Sequence, residues 1–121
     1  TFLNTNLPEA RLGYVGYSFG SCLAVLLAGL HPPAWLAALA PPVARAPMVG
    51  MEYLHMPCRF IAGDQDFAFN VAQFTPHYEK VPGEKALVLL PGCDHFFRKR
   101  EAEVLSAIRP LLHQSAGRTA S

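Results

Sequence analysis

The sequence predicts an α/β domain, a parallel sheet with helices flanking it. Three observations point there. Short apolar runs alternate with helical stretches along the chain, as crossover-connected parallel strands require. Those runs are near-continuous rather than alternating, which suits strands covered on both faces. Three reactive residues, Ser18, Asp66 and His95, each sit just beyond the end of a run, where open α/β sheets keep their sites.

Arg11 to Tyr17 reads as the first strand, with Leu12, Tyr14 and Val15 as its β-favouring body and Pro8 as an upstream turn marker. From Ser18 to Leu30, Leu, Ala and Val occupy nearly every face, predicting a helix buried over much of its surface. His31-Pro32-Pro33 stops it. Trp35 to Ala40 is the second apolar run, closed by Pro41-Pro42, and residues 43–57 form a loop or a single helical turn. Arg59 to Ala62 is the third strand, ending in Gly63-Asp64-Gln65-Asp66. Asn70 to Lys80 has helical character with a break expected at Pro76. Ala86 to Leu90 is the fourth strand, closed by Pro91-Gly92. Lys99 to His113 is an amphipathic helix with Ala102, Leu105, Ile108 and Leu112 on one face. Residues 1–113 therefore make one domain and 114–121 a disordered tail. No internal repeat is present.

The 121 residues suit a single core, and 51% hydrophobic against 16% charged residues describes a globular, somewhat apolar chain. A net charge of +1 offers no electrostatic case for nucleic acid or an anionic membrane. The basic run Arg98-Lys99-Arg100 is followed by Glu101 and Glu103 and reads as a solvated helix face. The stretch Cys22–Leu30 is too short to span a bilayer, and no signal peptide is visible. Three cysteines, Cys22, Cys58 and Cys93, cannot all pair, so a reducing, cytoplasmic setting is expected.

Gly16-x-Ser18-x-Gly20 has the spacing of a nucleophile elbow. A serine on a sharp strand-to-helix turn needs small neighbours two residues either side, and glycine removes the collision. The helix start beneath it favours a developing oxyanion. The plain alternative is a serine that caps the helix. What lifts the motif above chance is its place between strand and helix, and the order Ser…Asp…His at successive strand ends. In that arrangement His95 takes the proton from Ser18, Asp66 orients the imidazole, and the Phe19 N–H donates to the oxyanion. Asp64 is the rival acid, and its Asp-x-Asp turn could equally be simple turn chemistry. The aromatic residues Tyr17, Phe67 and Phe96 beside these positions are candidate substrate contacts. His95 as the base predicts a rate that falls on acidification.

Together, "GYSFGS", "APPV", "GDQD" and "LPGCDHFF" resemble the second half of an α/β-hydrolase, about four strands of it. The likeness is to small dienelactone-hydrolase-like and serine-aminopeptidase-like esterases, and it runs from about Arg11 to Leu112. It implies Ser18, Asp66 and His95 as the triad, with Asp66 preferred because the family's acid is usually the second Asp of that turn. It implies a serine hydrolase of carboxylic esters or related acyl compounds, acting on small molecules through an acyl-enzyme, with no cofactor or metal. "FAFN" stands where such enzymes often carry a Val-Pro pair. No long insertion separates the second and third strands, which suggests an open site without a lid.

The resemblance also implies what is absent. The family's sheet has eight strands, and its first half carries the second oxyanion donor, often marked by a His-Gly pair that does not occur here. Losing one such donor costs roughly 2.7–4 kcal/mol of transition-state stabilisation. Residues 11–17 would then be an apolar edge, an aggregation template unless covered. The expectation is a fragment or truncated gene product, or else a chain that covers the edge by oligomerising. The competing reading is a catalytically incomplete domain that binds a partner through that edge. A dinucleotide site fails because Gly13, Gly16 and Gly20 do not fit G-x-G-x-x-G, and no phosphate loop is present. A zinc site from Cys58, Cys93 and His95 lacks the usual spacing. Cys93 is expected to pack beside the site.

Overall fold

The computed structural model of the chain describes residues 12–120, with side chains described as far as Leu112. Pro8 and Arg11, named above, lie outside the described residues. The elements are β1 (Gly13–Tyr17), α1 (Phe19–Leu30), β2 (Trp35–Leu39), a single 3-10 turn (Met51–Tyr53), β3 (Cys58–Gly63), α2 (Val71–Tyr78), β4 (Lys85–Leu90) and α3 (Glu101–Ala120). The strands pair in the order β1-β2-β3-β4, all parallel. This is the parallel sheet that the apolar runs predict.

Alternation along each strand divides the interior into two cores. Leu36, Ala38, Cys58, Phe60 and Ala62 point to one face, where α1 covers them with Ala24, Val25 and Ala28 and α2 with Phe74. Trp35, Ala37 and Ile61 point to the other face, under Val104, Ile108 and Leu111 of α3. Layered helix–sheet–helix burial of this kind explains why both faces of β2 and β3 read as apolar. Gly13 belongs to the second core by its lack of a side chain: a Cβ there would lie 2.0 Å from the Trp35 ring.

Three helices differ from the sequence reading. In α2 the helix continues through Pro76 instead of breaking there. Asn70 caps its start by accepting from the Gln73 N–H, and Phe74 anchors it in the core. Proline forfeits only one backbone bond in so short a helix. In α3 the buried positions are Val104, Ile108 and Leu111, while Ala102, Leu105 and Leu112 are exposed, so the apolar face is displaced from the one proposed. The helix has apolar residues on both stripes, and packing against Trp35 and Leu90 selects one of them. Its backbone also runs on to Ala120.

In α1 the expected burial over much of the surface is absent. Ser21, Ala24, Val25 and Ala28 are buried, yet Leu23 is 63% and Leu30 73% exposed. The same edge of the molecule is open on the sheet. The Leu12 carbonyl accepts from Ala34 and the Ser18 N–H donates to Leu39, both toward β2. Alternation then turns the N–H and C=O of Gly13, Val15 and Tyr17 outward, with no neighbouring strand among the described residues. Val15 is 54% exposed at this edge.

Candidate active site

Ser18 joins β1 to α1 with φ 57° and ψ −125°, a conformation that costs a non-glycine residue on the order of 1–3 kcal/mol. The surroundings hold it there. Its N–H is bonded to the Leu39 carbonyl at 2.8 Å, and its own carbonyl accepts from both the N–H and the hydroxyl of Ser21. Ser21 is fully buried and was not singled out from the sequence, although its position three residues after Ser18 is where a carbonyl clamp must sit.

Gly16 has the steric role expected of it, since a Cβ there would lie 2.3 Å from the Gly20 carbonyl oxygen. Gly20 does not. A Cβ at that position would meet nothing within 4 Å among the described residues, because it points away from the turn. The capping alternative is also resolved. The Ser18 hydroxyl makes no bond to the helix it precedes and instead meets His95 Nε2 at 2.9 Å.

His95 lies in the loop between β4 and α3, and its other nitrogen, Nδ1, is 2.8 Å from Asp66 Oδ2. Both residues are buried, His95 6% and Asp66 7% exposed. The second carboxylate oxygen of Asp66 accepts from the Ala68 N–H at 2.7 Å, so each oxygen of this buried group has a donor. Asp64 is exposed and faces elsewhere: its Oδ1 accepts from the Gly92 N–H at 2.7 Å, tying the turn after β3 to the turn after β4. The approach of these two turns depends on Gly63, where a Cβ would lie 2.0 Å from the Cys93 carbonyl oxygen.

The "FAFN" segment has a separate task for each residue. Phe67 packs its ring 5.0 Å from the His95 imidazole, Ala68 supplies the N–H to Asp66, Phe69 packs on Phe74, and Asn70 caps α2. Phe96 meets the His95 ring edge-on at 5.4 Å. Both phenylalanines remain exposed and both carry a cation, with Arg45 over Phe67 and Arg98 over Phe96. Arg45 comes from the loop after β2 and had no signal in the sequence. Tyr17 stacks near His95, but its hydroxyl donates to the His95 backbone carbonyl at 3.0 Å. Burial, and then the charges of Asp66 and Asp94, push the Tyr17 phenol above its ordinary pKa.

The Phe19 N–H, in the first turn of α1, has no acceptor among the described residues and is a free donor beside Ser18. Cys93 is buried against Leu90 and Phe97, and burial raises its thiol pKa. Burial pushes the Cys58 thiol up to about 12, and all three cysteines are free thiols. Among the described residues no group of His, Cys, Asp or Glu could hold a metal ion. No helix there is long and apolar enough to cross a membrane.

No protein-family model and no curated protein sequence matches this chain. Solved structures do. A putative α/β-hydrolase of unknown function from Agrobacterium tumefaciens superposes with a TM-score of 0.80 at 20% identity, over 96% of this chain and 56% of its own. A dienelactone hydrolase from Anabaena variabilis gives 0.75 at 23% identity, over 91% and 52%. An α/β serine hydrolase without a lid, from Xanthomonas campestris, gives 0.72 at 23% identity, over 90% and 51%. The fold is that of the C-terminal portion of an α/β-hydrolase, and the chain spans about half the length of these structures.

Proposed function

We propose that the chain carries the catalytic triad of a serine hydrolase, with Ser18 as nucleophile, His95 as general base and Asp66 as the orienting acid. The observation that supports it is the unbroken relay from Ser18 Oγ through His95 to Asp66, at 2.9 and 2.8 Å, starting from a serine in a strained turn. The preferred substrates are small carboxylic esters or related acyl compounds. Oγ attacks the carbonyl carbon as its proton passes to Nε2, and the oxyanion is received at the Phe19 N–H. Collapse breaks the acyl–oxygen bond, and the imidazolium returns the proton to the departing alcohol. Water, deprotonated by the same imidazole, then releases the acid and restores Ser18. Phe67 and Phe96 would flank the acyl or alcohol group.

The test is intact-mass labelling of the 121-residue chain with a fluorophosphonate, whose phosphorus Ser18 would attack with loss of fluoride. A single adduct mapped to Ser18, absent from His95→Ala, is the expected result. A folded chain that takes no adduct would contradict the assignment.

A second reading concerns the open edge. The outward backbone groups of Gly13, Val15 and Tyr17, together with exposed Leu23 and Leu30, form a surface suited to cover by another strand and helix. Either a second copy or a partner that supplies the strands of a hydrolase's first half would do so. The free chain is accordingly expected to self-associate, and Val15→Lys with Leu23→Glu to return it toward the 13.2 kDa of one chain in light scattering. A parent chain monodisperse at that mass would count against this reading.

A further inference from the structure

We propose that Tyr17 is a positioning residue: its hydroxyl holds the His95 loop to the nucleophile strand while Ser18 is acylated. The proposal rests on the triad reading above and adds a step at which Tyr17 matters most.

Residues 91–100 join β4 to α3, and no strand ladder holds them in place. Their anchors run mainly to the β3 side. Gly92 donates to Asp64, and the Gln65 N–H donates to the Cys93 carbonyl at 2.9 Å. Asp94 Oδ1 accepts from the Phe96 N–H within the loop itself. These contacts fix His95 relative to Asp66, which lies on the same side. They do not fix it relative to Ser18.

Among the described residues, two hydrogen bonds cross from the β1 side to His95. One joins Ser18 Oγ to Nε2, and the other joins the Tyr17 hydroxyl to the His95 carbonyl. The first involves the reacting atom. Once Oγ is esterified it has no proton to donate, and that bond is lost. The second involves no reacting atom and survives acylation. Among the described residues Tyr17 therefore supplies the remaining hydrogen bond between the two elements during deacylation, when His95 must hold a water against the ester carbon. The raised phenol pKa keeps this hydroxyl a donor into the alkaline range.

Tyr17→Phe removes the hydroxyl and keeps the ring that packs on His95 and Phe97. With p-nitrophenyl acetate as the probe, acylation is expected to stay within about threefold of the parent and deacylation to slow by about tenfold, a loss of the size one hydrogen bond supplies. Stopped-flow separates the two steps, and intact mass shows acetyl-enzyme accumulating. A lost fold or general loosening slows both steps alike. Site-specific 3-fluorotyrosine at position 17, which keeps the donor at neutral pH, should deacylate at the parental rate. The 13C resonance of the His95 carbonyl should move in Tyr17→Phe, with or without turnover. Deacylation at the parental rate, equal slowing of both steps, or an unmoved carbonyl signal would each overturn the assignment. A parent chain inert to fluorophosphonate overturns the triad reading first, and the two failures are thereby told apart.

Discussion

Asp66→Asn is expected to slow phosphonylation of Ser18 by about 10,000-fold, the scale at which a wrongly held imidazole tautomer disables a serine nucleophile. Asp64→Asn should stay within a few-fold of the parent. The contrast follows from what each carboxylate touches. Asp66 receives His95 Nδ1 at 2.8 Å and the Ala68 N–H at 2.7 Å, in a buried position. An amide there has one accepting oxygen in place of two, and turning its NH2 toward Nδ1 forces the wrong ring nitrogen to carry the proton. Asp64 Oδ1 accepts from Gly92 at the surface, and the carbonyl of Asn can keep that bond. Second-order rate constants with a fluorophosphonate, measured for the parent and both variants, decide it. A larger loss in Asp64→Asn than in Asp66→Asn would reverse the assignment.

The second large effect is on stability. Gly63→Ala places a Cβ 2.0 Å from the Cys93 carbonyl oxygen, backbone against backbone, so one of the two turns must move. Overpacking of this kind costs about 1–3 kcal/mol, and for a domain of this size the melting temperature should fall by roughly 5–15 °C. The same displacement separates Asp66 from His95, so labelling of Ser18 should fall even where the variant stays folded. Gly20→Ala is the control. Among the described residues its Cβ meets nothing within 4 Å, and alanine is the better helix former, so the melting temperature should hold or rise. Thermal melts of the three proteins by circular dichroism test both expectations. An unchanged melt for Gly63→Ala would mean that the turns accommodate the methyl group.

The sequence by itself was enough for the sheet, and for the three residues that meet on its rim. Near-continuous apolar runs such as "FIAG" and "ALVLL" mark doubly covered strands, and parallel pairing puts their ends on one side. That constraint puts Ser18, Asp66 and His95 on one rim of the sheet. Helix boundaries and helix faces were less legible. In α3 the stripe through Leu105 and Leu112 is as apolar as the stripe through Val104, Ile108 and Leu111, and composition cannot choose between them. In α1 the leucines predict burial, but burial needs a neighbour that the described residues do not supply. The residues alone left Asp64 and Asp66 as rivals, with Asp66 preferred on the resemblance, and the two carboxylates part in a turn that packs Gly63 against Cys93. The bond from Tyr17 to His95 spans 78 positions and has no local signal at all. Period and spacing act locally, so they determine the elements and the rim on which the reactive groups fall. Which hydroxyl, carboxylate or carbonyl then meets which partner depends on ångström-scale packing between distant segments, and that is decided only when the chain is folded.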